Sequence, residues 1–195
     1  MKNTMKRLMA VLLAGIMLFA FAGCSPTKKA EKAVKSFLDA TASLDIEKAK
    51  GYINGGDEDE LVFNEDIMLF GNELFGKMSY EIKETEEVDE NTVNVIVEIT
   101  NIDMKPVLGE FLRKALEFAF SNAYTEDITE EEIEENYVRI LSECLSEENL
   151  EMKTMEATVR VVLVDGEWKV EVDGEFMNAV LGGLGDATEE IQSAM

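Results

Sequence analysis

The sequence predicts an α+β fold in which helices pack on an antiparallel sheet of about four strands. Two stretches, residues 80–99 and 155–172, alternate apolar and polar side chains with the period of a half-buried strand. Elsewhere, apolar residues recur at helical spacing. Because the strands come in adjacent pairs and do not alternate one for one with helices, each pair is expected to form a hairpin of an antiparallel sheet.

The first third of the chain predicts three helices. The first follows residue 29, and its apolar face consists of Ala30, Ala33, Val34, Phe37, Leu38 and Thr41. Asp45 can cap a second, short helix that ends near Ile53. After an acidic loop at residues 55–60, Asn64 can cap a third helix, which carries Ile67, Phe70, Leu74 and Phe75.

A β-hairpin and then a helical hairpin are predicted in the middle of the chain. Asp89-Glu90-Asn91 is a turn between one strand with Tyr80, Ile82 and Val88 and another with Val93, Val95, Val97 and Ile99. Pro106 suits the first turn of a helix over 106–122. Thr129 to Glu132 matches a capping box that opens a helix over 130–147. We expect the two helices to pack over the sheet, with the second covering Phe111 and Phe118.

The last part of the chain predicts a second β-hairpin and a short helix. The turn is Asp165-Gly166. Trp168 is expected to face inward and anchor the core without contacting a ligand. The helix carries Phe176, Met177, Val180 and Leu181 and ends at Gly182-Gly183, so residues 186–195 are expected to form a frayed tail.

The composition excludes several classes of function. The chain has 195 residues with 41 acidic, 18 basic and no histidine side chains. A surface this negative repels nucleic acid and anionic lipid headgroups, so no nucleic-acid partner is expected, and the domain should stand off from a membrane. Without histidine, neither a Ser-His-Asp nor a Cys-His pair can form, and His/Cys transition-metal sites are excluded.

No metal, cofactor or catalytic residue is predicted. The acidic run from Asp57 to Glu60 fails as an EF-hand loop, because Leu61 and Val62 occupy its fifth and sixth positions. Cys144 lies on the apolar face of a predicted helix, where an inert core thiol is expected.

The N-terminus carries an export signal. Lys2, Lys6 and Arg7 precede an apolar run over residues 8–22, and small residues lead to Cys24. This pattern resembles the lipobox signal of bacterial lipoproteins. The resemblance implies a signal peptide over 1–23, a diacylglyceryl group on Cys24, a tether over 24–29, a single domain over 30–185, and a place on the extracytoplasmic face of the cell membrane.

A second resemblance covers roughly residues 29–175. The helical start, the antiparallel strands and the sequence Val164 to Val170 are similar to NTF2-like, cystatin-related domains of exported bacterial lipoproteins. The helical stretch from Met104 to Glu148 departs from that pattern and implies an insertion. The domain is expected to bind a small apolar ligand or a protein partner without catalysis, the candidate ligand residues being Phe111, Phe118, Tyr124 and Tyr137. An enzyme with a pocket carboxylate and a self-associating structural protein are the alternatives.

Overall fold

The computed structural model describes residues 25–54, 68–123 and 128–194. In chain order its elements are α1 (Pro26–Ala42), α2 (Ile46–Lys50), α3 (Gly71–Phe75), β1 (Ser79–Asp89), β2 (Thr92–Ile102), α4 (Met104–Asn122), α5 (Glu130–Leu145), β3 (Met152–Val164), β4 (Glu167–Glu171), α6 (Gly174–Val180) and α7 (Leu184–Ala194). The predictions for the signal at 1–23, Cys24, the loop at 55–60, Asn64, Ile67 and Tyr124 lie outside the described residues.

The α+β prediction is confirmed. The four strands form one antiparallel sheet in the order β1-β2-β3-β4, so β2 and β3 are neighbours although α4 and α5 are inserted between them. One face of β2 is fully buried through Val93, Val95, Val97 and Ile99. Helices α1 and α6 pack on this side of the sheet. The finer assignment to an NTF2-like domain stays a prediction.

Helix α1 begins earlier than the sequence predicts. Pro26 occupies its first turn, where the missing N–H costs nothing, and the side chain of Ser25 accepts a hydrogen bond from the Lys28 N–H. Residues 26–29, predicted as tether, therefore belong to the helix. Its inner side is buried as expected, and Phe37 packs on Phe176 of α6 with 5.7 Å between ring centroids.

The end of the chain also differs from the prediction. Residues 184–194 form helix α7 where a frayed tail is expected. Ala187 is buried, and the Asn178 side chain accepts a hydrogen bond from the Asp186 N–H and donates one to the Asp186 carboxylate. The Lys153 ammonium, 3.1 Å from that carboxylate, lowers the pKa of Asp186. These polar contacts support the helix together with the apolar residues Leu184 and Ala187, which pack against the rest of the domain.

The two edges of the sheet are built differently. On β1 the register shifts between Ile82 and Glu84 and again between Glu87 and Asp89, and Val88 is exposed, not turned inward as its place in the alternation predicts. Strand β4 has only five residues, and the chain around Ile53 covers its outer edge. There the Asn54 N–H donates to the Val170 carbonyl over 2.9 Å.

Candidate functional site

Three of the four predicted ligand residues meet between α4 and α5. The Tyr137 ring of α5 lies 6.4 Å from Phe111 and 5.8 Å from Phe118, both on α4, in edge-to-face arrangements. All three side chains are half-buried. Edge-to-face packing is a favourable contact between aromatic rings, so these residues form the hydrophobic core of the helical hairpin itself. Tyr124 lies outside the described residues.

The prediction that the helical hairpin packs over the sheet is wrong, apart from its base. Only Met104 and Val107 of α4 and Ile140, Cys144 and Leu145 of α5 are buried. The physical reason is competition for one surface, because α1 and α6 already occupy the apolar side of the sheet. The helices therefore pack mainly on each other.

An exposed apolar row runs along α4. Leu112, Leu116 and Phe120, which we call the hairpin stripe, follow each other at four-residue intervals and therefore share a face. Their exposed fractions rise along the helix from 38% to 57% and 75%. On α5, Val138 is exposed as well.

The charges beside the hairpin stripe are satisfied within α4. Arg113 forms ion pairs with both Glu110 and Glu117. The Arg113 hydrogen bond is the main cause that lowers the pKa of Glu110 to about 2. The side chains of the hairpin stripe, by contrast, stay exposed in the described part of the chain.

The described residues place no carboxylate side chain in the core. Their buried polar side chains are Thr41, Thr92 and Asn101, and no carboxylate is among them. Tyr80 donates a hydrogen bond to Asp39 over 2.6 Å, and burial together with this bond raises the pKa of Tyr80, so its hydroxyl stays protonated. Asp39 is exposed, whereas a pocket base needs burial to tune its pKa.

Cys144 has the environment of a structural thiol. It is buried at the base of the helical hairpin. Burial raises the pKa of its thiol, which disfavours the nucleophilic thiolate.

A groove between α1, α2 and β4 is the feature that sequence reasoning missed. It encloses about 550 Å³ and is lined by Tyr52, Trp168 and the four lysines Lys29, Lys32, Lys48 and Lys169; we call it the basic groove. Trp168 is half-buried: it packs against the core, as expected of an anchor, and it also lines the groove, so the expectation that it contacts no ligand stays a prediction. It is the second residue of the five-residue edge strand β4.

The four groove lysines differ in their partners. The Lys169 ammonium donates to the Gly51 carbonyl over 2.6 Å and pairs with Glu167 at 2.7 Å. By contrast, Lys29, Lys32 and Lys48 form no ion pair with any residue that the structure describes. The signal in the sequence was a concentration of lysines over residues 28–50 of a strongly acidic chain.

The described residues contain neither a candidate membrane-spanning helix nor a candidate metal site. None of their helices has the length and apolar character needed to cross a lipid bilayer. Within the same residues, no three carboxylate or cysteine side chains lie close enough together to hold a metal ion.

Comparison with known proteins adds one weak similarity. No family model and no curated protein matches the chain. A solved structure from Bacillus subtilis subsp. subtilis str. 168, named as a "putative lipoprotein (ycdA)", aligns with a TM-score of 0.42 and 12% identity. The alignment covers 78% of this chain and 46% of that one, so this chain corresponds to less than half of that protein. Similarity at this level says nothing about what the chain binds.

Proposed function

We propose that the chain is a lipid-anchored, extracytoplasmic protein that binds a protein partner without catalysis, through the hairpin stripe. The anchor rests on the basic start, the apolar run over residues 8–22 and Cys24. The binding surface rests on a single observation, the exposed row of Leu112, Leu116 and Phe120.

The spacing of the row supports a macromolecular partner. Single exposed apolar residues are common on soluble proteins, but an aligned row is not. Anchors four residues apart on one helix are what a protein groove or a second helix contacts. A small apolar ligand has less support, because Phe111, Phe118 and Tyr137 already fill the space between the helices with their own rings.

Charge favours a different protein over a second copy of this chain. The two helices of the hairpin carry eight acidic and four basic side chains, and the whole chain has a net charge of −23. A second copy would place negative charge against negative charge, which opposes association. The partner that fits has an apolar contact surface flanked by lysine or arginine.

Site-specific crosslinking in the native membrane tests this proposal. A photoreactive phenylalanine analogue replaces Leu116 in the full-length protein, and in the matched control it replaces Val88, which is exposed to a similar degree, 51% against 57%. We expect a crosslinked species only from position 116. Mass spectrometry should find the crosslinked peptide of the partner to be apolar with basic flanks.

A second variant separates stripe binding from chance proximity. Phe120 is 75% exposed, so Phe120→Asp should leave the melting temperature unchanged. It should nevertheless abolish the crosslink at position 116. An adduct of twice the protein's own mass would replace the proposal with self-association. Equal crosslinking at positions 88 and 116, or none at either, would overturn it.

A further inference from the structure

We propose that the basic groove binds the phosphate groups of anionic lipid headgroups in the membrane that holds Cys24. This inference rests on the lipid anchor of the proposed function. It assigns a membrane-facing side to the domain, at a site unrelated to the hairpin stripe.

The groove lies beside the attachment point. Ser25 caps α1 and Pro26 begins it, so Cys24 precedes the capping residue by one position, or about 3.8 Å between consecutive Cα atoms, and the helix itself by two positions. At 1.5 Å per residue, Lys29 and Lys32 are roughly 5 and 9 Å further along the axis. A lipid on Cys24 therefore brings these lysines close to the headgroup layer without any long connecting segment.

The groove offers the chemistry that a phosphate needs. The ammonium groups of Lys29, Lys32 and Lys48 have no carboxylate partner among the described residues, and lysine binds phosphate as a point charge. The acidic side chain that lines the groove, Glu167, is paired with Lys169. An exterior anion therefore meets three ammonium groups that form no ion pair with a described residue.

The aromatic lining fits the same location. Tyr52 and Trp168 are both half-buried at the groove. Tyrosine and tryptophan concentrate at the membrane–water interface, where one side of the ring is apolar and the other is wet. The combination of lysines with these two rings is therefore typical of a surface that touches headgroups.

The net charge of the chain does not oppose this contact. Charges further apart than a Debye length of about 8–10 Å are largely screened at physiological salt. The headgroups therefore respond mainly to the lysines of the groove, which lie nearest to them in the proposed contact, and less to the total charge of the chain. The total charge alone predicts that the domain stands off from the membrane, whereas the lysines of the basic groove favour contact at that site.

The test uses the chain from residue 24 onward with Cys24→Ser, so that binding is measured without attached lipid. Trp168 is the chain's one tryptophan and lines the groove, so its emission reports on the site directly. We expect co-sedimentation and a blue shift with phosphatidylglycerol vesicles, weakening with added salt, and neither effect with phosphatidylcholine vesicles. Each lysine near an anionic bilayer contributes on the order of a fivefold gain in binding, so the triple variant Lys29→Gln/Lys32→Gln/Lys48→Gln should lose about 100-fold.

A control of equal charge separates the groove from bulk attraction. Lys77→Gln/Lys83→Gln/Lys105→Gln removes three positive charges elsewhere and should bind as the parent does. Equal loss in both triple variants, or no preference for phosphatidylglycerol, would overturn the proposal. A Trp168 response to inorganic phosphate as strong as the response to vesicles would identify a site for soluble anions and also overturn it. Because this assay uses protein without an attached lipid, a failure of the proposed lipid anchor would not change its result. That failure is detected by mass spectrometry of the full-length protein.

Discussion

At Gly182 the chain comes so close to β2 that a side chain has no room. Gly182 has a φ of +60°, and a Cβ atom there would collide with the carbonyl oxygen of Ile102. The Met104 N–H donates to the Gly182 carbonyl over 3.0 Å, and the buried Asn101 side chain donates to the Val180 carbonyl over 2.7 Å. These contacts join the end of β2, the start of α4 and the end of α6 at one point.

Gly182→Ala should therefore be strongly destabilising. We expect a loss of about 2–3 kcal/mol, because the left-handed backbone and the close approach both disfavour a side chain. Gly109→Ala is the matched control. A Cβ atom at Gly109 meets no other atom within 4 Å, and alanine in a helix interior gains up to about 1 kcal/mol over glycine. Urea unfolding followed by circular dichroism measures both; equal effects would show that Gly182 is not confined.

Two aromatic truncations distinguish the core from the basic groove. Phe176 is fully buried against Phe37, so Phe176→Ala should cost ~3–5 kcal/mol. Trp168 is half-buried at the groove, so Trp168→Ala should cost clearly less than Phe176→Ala does. Thermal unfolding of the two variants makes the comparison. A larger loss for Trp168→Ala would show that the tryptophan is the stronger core anchor of the two.

Local sequence signals predict which helices and strands form better than they predict where those elements pack. The capping box at Thr129 and Glu132 is present as predicted, and period-two alternation locates all four strands. The aromatic contact between α4 and α5 also follows from their apolar faces. The apolar faces do not reveal which helices pack on the sheet. Helices α1 and α6 pack there, and only the base of the helical hairpin lies in the core.

Removing the cap of α5 should loosen the helical hairpin. Thr129 accepts a hydrogen bond from the Glu132 N–H over 3.2 Å, and Thr129→Ala should cost ~1 kcal/mol, as the loss of a threonine cap does. Ser142→Ala, in the interior of the same helix, should be neutral or slightly stabilising. Hydrogen exchange of the α5 amides measures the difference. Unchanged exchange after Thr129→Ala would mean that the cap is not what holds this end.

The same cap predicts a dependence on pH. Hydrogen bonds from the Thr129 N–H and hydroxyl lower the pKa of Glu132. A lowered carboxyl pKa means that the contribution to stability is complete above the ordinary glutamate pKa and disappears as the pH falls through the lowered value. The protection factor of the α5 amides, which is the intrinsic exchange rate at each pH divided by the observed rate, should therefore fall below about pH 4 compared with its value at neutral pH. In Thr129→Ala this acid sensitivity should be smaller; an equal sensitivity would exclude Glu132 as its source.

For the chain as a whole, the sequence predicts the fold class but misses the basic groove. Alternation and helical spacing are local, and they suffice for an α+β fold with one antiparallel sheet. The groove combines α1 and α2 with the start of β4, which lies more than 100 residues later in the chain. Only the tertiary fold therefore brings Lys32 and Trp168 to the same groove. Helix α7 differs from the groove in this respect: Leu184, Ala187 and Ile191 follow helical spacing in the sequence, and Asn178 and Lys153 add polar contacts to Asp186 that the sequence does not reveal.

The lipid anchor gives a prediction for the full-length protein. If Cys24 carries the lipid, mass spectrometry of the membrane fraction should find a modified Cys24 at the N-terminus and no peptide from residues 1–23. Cys24→Ala should then remain unprocessed at this site. Ser25→Ala, which retains the cysteine, is the control and should still be lipidated. A Cys24→Ala protein that is cut at the same position and stays membrane-bound would contradict the anchor.

The outer edge of β1 is poorly suited to pair with a strand of a second molecule. An edge strand of eleven residues could template a neighbouring chain through its unpaired backbone groups. Here the strand carries five acidic residues and two breaks in register. A second molecule aligned on it would face carboxylates with carboxylates along an irregular ladder, while the opposite edge is already covered near Ile53. If the proposed lipid anchor concentrates these molecules on one membrane, we expect this edge to oppose their growth into a shared sheet, so that a dense layer remains composed of separate units.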